Sequence, residues 1–246
     1  MSDSAGVPWE GRHFEPNTSA DDDGSAPEKL VEAIRRFHAH DLGEADVVDA
    51  LRDSRLLIPL VAELGADGRT VQGHDKSQEL SIVTVAGPDG RTVLPAFSSV
   101  EAMSRWNPSA RPVPATAGRV ALAAASENTD LVVLDPVSDT EFVIRRPALW
   151  ALAQSQPWTP SYLDEGVLGA FMDAAEPEPS VVAVQLAPGD PESRLAGPEL
   201  IVQLSLAPGL DRAALDGVVA RLQERWAGSE VIANRVDSMR VVLAAS

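Results

Sequence analysis

Side chains that could carry chemistry are sparse in this chain. The four histidines are His13, His38, His40 and His74. His38 and His40 stand two apart on a predicted helix, so their rings point to different faces and cannot form the i, i+4 pair of a zinc-binding helix. His74 and Asp75 have the types of a general base and its orienting carboxylate. As neighbours in a polar stretch with no nucleophile nearby, they read instead as solvated loop. Residues 73–77, Gly-His-Asp-Lys-Ser, approximate a phosphate loop, but Asp75 stands where glycine is needed and would set a carboxylate against the phosphate. Asp135 and Asp139 flank a turn and read as its caps. The chain has no cysteine, which excludes disulfides, thiol nucleophiles and Cys-ligated zinc. Neither a Gly-x-Ser-x-Gly elbow nor a Gly-x-Gly-x-x-Gly turn is present. No residue is therefore assigned a catalytic, cofactor-binding or metal role, and the expectation is a non-enzymatic protein without a cofactor.

Recognition chemistry is better represented. Five tryptophans accompany a single tyrosine. Trp150 and Trp226 fall among aliphatic residues on predicted helices and read as core. Trp106, before Asn107 and Pro108, caps the edge of a core or is exposed. Trp9 and Phe14 differ, because the acidic segment around them has no core of its own. With Arg12 between them they form a partner motif, fold back onto the body or have no ordered role. Trp9, Arg12, Phe14 and Trp106 are the candidate partner-binding residues.

The charge balance restricts the partner. The formal charge is −17, from 20 Lys and Arg against 37 Asp and Glu. Cut before Pro27 and before Pro157, the three segments carry −5 (1 basic, 6 acidic), −5 (13 and 18) and −7 (6 and 13). No segment has the clustered basic charge that releases counterions from a phosphate backbone, and nucleic acid is not expected to bind. The longest apolar runs fall far short of the ~20 residues that span a bilayer, and no secretory signal is visible at the start. A cytoplasmic protein with an unknown protein partner, an unspecified oligomeric state and no membrane association is the expectation.

The elements that must position these residues read as two small units after a tail. Residues 1–26 are polar and acidic, with too little apolar surface to offset the entropy of ordering. A helix with Leu30, Ile34 and Phe37 on one face follows, opened by a capping box at 25–28, and then a shorter one over 44–53. Residues 56–61, interrupted by Pro59, read as an edge strand. Residues 64–78 read as a loop. Strands at 80–85 and 92–97 flank Pro88-Asp89-Gly90, a hairpin turn. A capped helix from 98, a helix over 116–126, strands at 131–134 and 141–144, and a helix from Arg146-Pro147 complete the first unit, 27–156. The prolines of 156–162 mark a boundary. The second unit, 157–246, has a helix over 164–174, strands at 181–186 and 200–206, a long helix over 211–226, and strands at 231–233 and 239–243. The class is α+β, two small domains with largely antiparallel or mixed sheets.

Four stretches, residues 80–85 (LSIVTV), 87–90 (GPDG), 94–101 (LPAFSSVE) and 130–136 (DLVVLDP), resemble the SseB family, named for an enhanced serine sensitivity phenotype. The similarity is best over about residues 56–155. The second unit, with Pro208-Gly209-Leu210-Asp211 opening a helix and Val236-Asp237-Ser238 before the last strand, resembles the C-terminal domain that accompanies it in many members. The resemblance implies an intracellular bacterial protein and carries over no catalytic residues. Three functions are weighed: a protein-interaction or regulatory module, a small-molecule (amino-acid-linked) sensor or metabolic regulator, and an unidentified enzyme.

Overall fold

A computed structural model describes residues 22–62 and 80–245. Among these residues the chain is α+β, with eight helices and three sheets. The first half runs α1 (Glu28–His38), α2 (Glu44–Arg52), β1 (Arg55–Ala62), β2 (Leu80–Ile82), β3 (Val85–Ala86), β4 (Thr92–Ala96), α3 (Val100–Trp106), β5 (Arg111–Thr116), α4 (Ala117–Ser126), β6 (Val132–Leu134), β7 (Phe142–Ile144) and α5 (Arg146–Ala153). The second half runs α6 (Glu165–Ala175), β8 (Val181–Pro188), β9 (Leu200–Leu206), α7 (Arg212–Ala227), α8 (Glu230–Arg235) and β10 (Met239–Ala245). None of the described helices is long and apolar enough to cross a membrane.

The four-stranded sheet has the order β3-β4-β6-β7, with β4 and β6 parallel and the other pairs antiparallel. Alternate side chains go to opposite faces. Leu94, Ala96, Val132, Leu134, Phe142 and Ile144 therefore form one face, which packs on α1, α2, α4 and α5 to make the main core. Val93, Val133 and Val143 project from the other face and meet Leu195 from the second half. The second half buries Leu200, Val202, Leu204 and Leu206 of β9 against α6 and α7, where Phe171 and Trp226 pack edge to face at 5.3 Å.

Several sequence readings need correction. The strand around Pro59 is central, between β2 and β5, instead of an edge. Proline is tolerated there because Pro59 falls between the Leu57–Phe97 bridge and the start of β2 pairing at Leu60, so no ladder bond is lost on that side. β5 is a strand although Pro112 and Pro114 argue against one. It is the edge of its sheet, and Pro112 lies opposite Pro59. The stretch 80–85 divides between two sheets, β2 on β1 and β3 on β4, although the turn at 87–90 does close a hairpin. Residues 231–233 lie in α8, nucleated by the Ser229 hydroxyl, which accepts the Ile232 N–H. α1 starts without a side-chain cap, from Pro27. Trp150 is 41% exposed, its ring under the Arg146 guanidinium at 5.1 Å, and is not core.

Candidate functional site

The turn between β6 and β7 is built around Asp135. This side chain is almost fully buried, and a buried carboxylate needs donors. It has three. Ser98 gives its N–H to Oδ1 at 2.8 Å and its hydroxyl to Oδ2 at 2.6 Å, and the Thr140 hydroxyl reaches Oδ2 at 2.8 Å. Ser138 donates to the Asp135 carbonyl, and the Asp135 N–H donates to Ala96. Asp135 thus caps its turn and also ties it to the junction of β4 and α3, a wider role than the sequence reading assigned.

What the turn presents is Val137, 93% exposed with φ +63°. A β-branched residue in the left-handed region is a backbone outlier that costs about 1–3 kcal/mol, retained only where its surroundings hold it. Here the Val137 N–H is held by the Glu141 carboxylate at 2.6 Å. An apolar side chain is thereby fixed in solvent at a cost in strain.

Val137 forms one lip of a groove of about 410 Å³. Its floor is the second face of the sheet, Val85, Val93, Pro95, Val133 and Val143, and its walls include Trp106, Pro136 and Leu195. Trp106 leans on Phe97 with ring centroids 5.3 Å apart. Of the sequence-nominated residues, Trp106 stands in the groove wall, while Trp9, Arg12 and Phe14 lie outside the described residues, as do His13, His74, Asp75 and Lys76.

Leu195 reaches the sheet from the loop between β8 and β9. That loop folds tightly: a Cβ on Gly189 would fall 2.2 Å from the Pro198 carbonyl oxygen. Asp190 caps it from within, accepting the N–H groups of Leu195 and Ala196. Ser193 accepts the Val143 N–H through its carbonyl, extending the edge of β7.

Arg145 clips the two halves together. Buried at the end of β7, it donates to Asp190 at 2.6 Å, to Asp237 and Ser238, and to the Gly197 carbonyl. Asp237 also receives a forked pair from Arg91, whose Nε binds Asp89. Beside this cluster is an open depression of about 560 Å³ lined by Asp89, Arg91, Pro198, Asp237 and Ser238. Its charged groups are already paired with one another. His38 and His40 both approach Glu192, at 3.4 and 3.7 Å, yet no set of three or more His, Asp or Glu suited to a metal occurs among the described residues.

The seam also contains two carboxylates under strain. Burial pushes Glu44 up to about 7, against the pull of the Ser193 hydroxyl that donates to it at 2.8 Å; Glu199 and Asp190 raise it further and Arg145 lowers it. Burial likewise raises Glu199, against the opposing pull of the Asp237 N–H on its Oε2 and of the Ser161 hydroxyl. Tyr162, raised to about 12 first by burial and then by both carboxylates, faces the same pair. Between pH 4.5 and 7 the folded chain therefore holds a proton that the unfolded chain releases, and stability should fall as pH rises through that window. The expected loss between pH 5.5 and pH 8 is ~1–3 kcal/mol by urea denaturation. Glu44→Gln, which keeps an acceptor for Ser193, should flatten the dependence; an unchanged slope would remove Glu44 as its source. Glu178, held down to about 2 chiefly by its hydrogen bond from Arg221, acts below this window.

Residues 29–151, half of the chain, match the family model described as SseB protein N-terminal domain. Comparison with curated proteins and with solved structures finds no match. The matched region contains the Asp135 turn and most of the groove; Arg194 and Leu195 come from beyond it.

Proposed function

The chain belongs to the SseB family, and we propose that it is a non-enzymatic protein-interaction module whose groove takes a short apolar segment of another polypeptide. The observation that supports this most is Val137. Strain at a fully exposed apolar residue opposes stability, and the inference runs from such an outlier to a use for it. The adjoining groove is apolar, floored by a sheet face and flanked by an aromatic ring, the surroundings in which an anchoring side chain loses its water.

The sensor reading would use the depression beside Arg91 and Asp237. Its ionic groups already satisfy one another, so a small polar ligand would have to break pairs to bind there. The groove reading asks for no such exchange.

Selection from a displayed random-peptide library against the full chain tests the reading. Peptides rich in aromatic and aliphatic anchors should be enriched, and should lose binding to the Val137→Asp variant at equal abundance and equal folded fraction. Peptides that bind both proteins alike, or no enrichment at all, would overturn it.

A further inference from the structure

We propose that the groove has an occupant in cis, the stretch of this chain's own N-terminal segment from Trp9 to Phe14. This rests on the groove reading above and names a partner for the same site.

The first argument is where the segment is tethered. Arg55 pins residues 22–25: it pairs with Asp22 at 2.7 Å and donates to the Ser25 carbonyl, while a third donor binds the Ser98 carbonyl. The Gly24 carbonyl accepts the N–H of Val100 at 2.9 Å. Gly24 is required there, with φ +79° and a would-be Cβ only 2.7 Å from Val100 Cγ2. The chain thus departs from the N-terminus of α3. Ser98, two residues before Val100, holds Asp135, and the other end of α3 is Trp106 in the groove wall.

The second argument is reach. α3 has seven residues, so Trp106 lies roughly 10 Å along its axis from the tether. Eight residues separate Asp22 from Phe14 and thirteen separate it from Trp9, extended spans of at most ~29 and ~47 Å. Both aromatics can reach the groove. A tether of this length also keeps their local concentration high, so a weak contact is populated.

The third argument is chemistry. Trp9 and Phe14 are large apolar side chains of the kind the groove would desolvate. Residues 1–21 contain one basic and four acidic residues, a net −3. The groove lining includes one basic residue, Arg194, exposed and making no ion pair among the described residues, and one acidic residue, Glu141, whose carboxylate accepts the Val137 N–H.

The test places a p-benzoylphenylalanine photo-cross-linker at Phe14, and separately at Trp9, in the full-length chain, with cross-links mapped by mass spectrometry. Expected are intramolecular links to Trp106, to 133–137 or to Leu195, reduced several-fold by Val137→Asp. In addition, Trp9→Ala with Phe14→Ala should increase capture of the library-selected peptides by the full chain several-fold. Links confined to other surfaces, links only between two copies, or peptide capture unchanged by the double substitution would overturn the proposal. If those outcomes accompany peptide binding that still depends on Val137, the groove reading survives and only the cis occupant is lost.

Discussion

Arg145→Ala should destabilise the chain by about 3–5 kcal/mol, the usual result of removing one partner from a buried ionic cluster. The guanidinium is 8% exposed and faces two carboxylates that are each 2% exposed. Asp237 would keep Arg91, but Asp190 would keep only the N–H groups of its own loop. The uncompensated charge, more than the lost attraction, sets the size of the effect. For a chain of this length the shift corresponds to roughly 6–20 °C in the thermal midpoint. Arg145→Lys should recover little, because an ammonium cannot serve Asp190, Asp237 and the Gly197 carbonyl with the spread geometry of a guanidinium. Protease should cut the 189–199 loop sooner in both variants. A loss below about 1 kcal/mol for Arg145→Ala would mean that the cluster relaxes or admits water freely.

Asp135→Ala should cost about 2–4 kcal/mol, since it strands the Ser98 N–H and two hydroxyls in a buried site. Asp135→Asn should be milder: the amide oxygen can still accept the Ser98 N–H, and the hydroxyls can turn to accept from the amide nitrogen. The same substitution frees the turn that holds Val137, so peptide capture should fall together with stability. Denaturant midpoints for the pair of variants, measured with capture at matched folded fraction, check both halves of this expectation. An alanine variant as stable as the wild type would reduce Asp135 to an ordinary turn residue.

Local patterns made much of the fold legible. Leu200, Val202, Leu204 and Leu206 alternate along β9, and Val218 and Leu222 recur on α7 at helical spacing, so both elements are readable from neighbours alone. β5 was not, because its two prolines speak against a strand and only pairing with β1 makes it one. The site was harder still. Arg145 and Asp135 owe their roles largely to distant partners, Ser98 37 residues from Asp135 and Ser238 93 residues from Arg145, and no spacing rule covers such distances. Nothing in a valine marks a left-handed backbone at Val137. One signal was available for the groove. The runs Val132-Val133-Leu134 and Phe142-Val143-Ile144 are apolar at every position, and strands of that kind have both faces covered. The second face called for a cover, and Leu195 supplies part of it: Val93, Val133 and Val143 are all buried in the folded chain.

Val137→Asn tests the groove most directly, because relief of backbone strain raises stability while loss of an apolar lip should lower binding. Asparagine tolerates the left-handed region far better than valine, so the variant should be more stable by about 1 kcal/mol in urea denaturation. The same change replaces an apolar lip of the groove with an amide, and capture of the selected peptides should drop at least several-fold. A variant that is more stable and binds less well is the result this account expects. A variant that gains stability and binds as tightly as the wild type would show that Val137 is strained to no purpose, and would contradict the groove as the site of interaction.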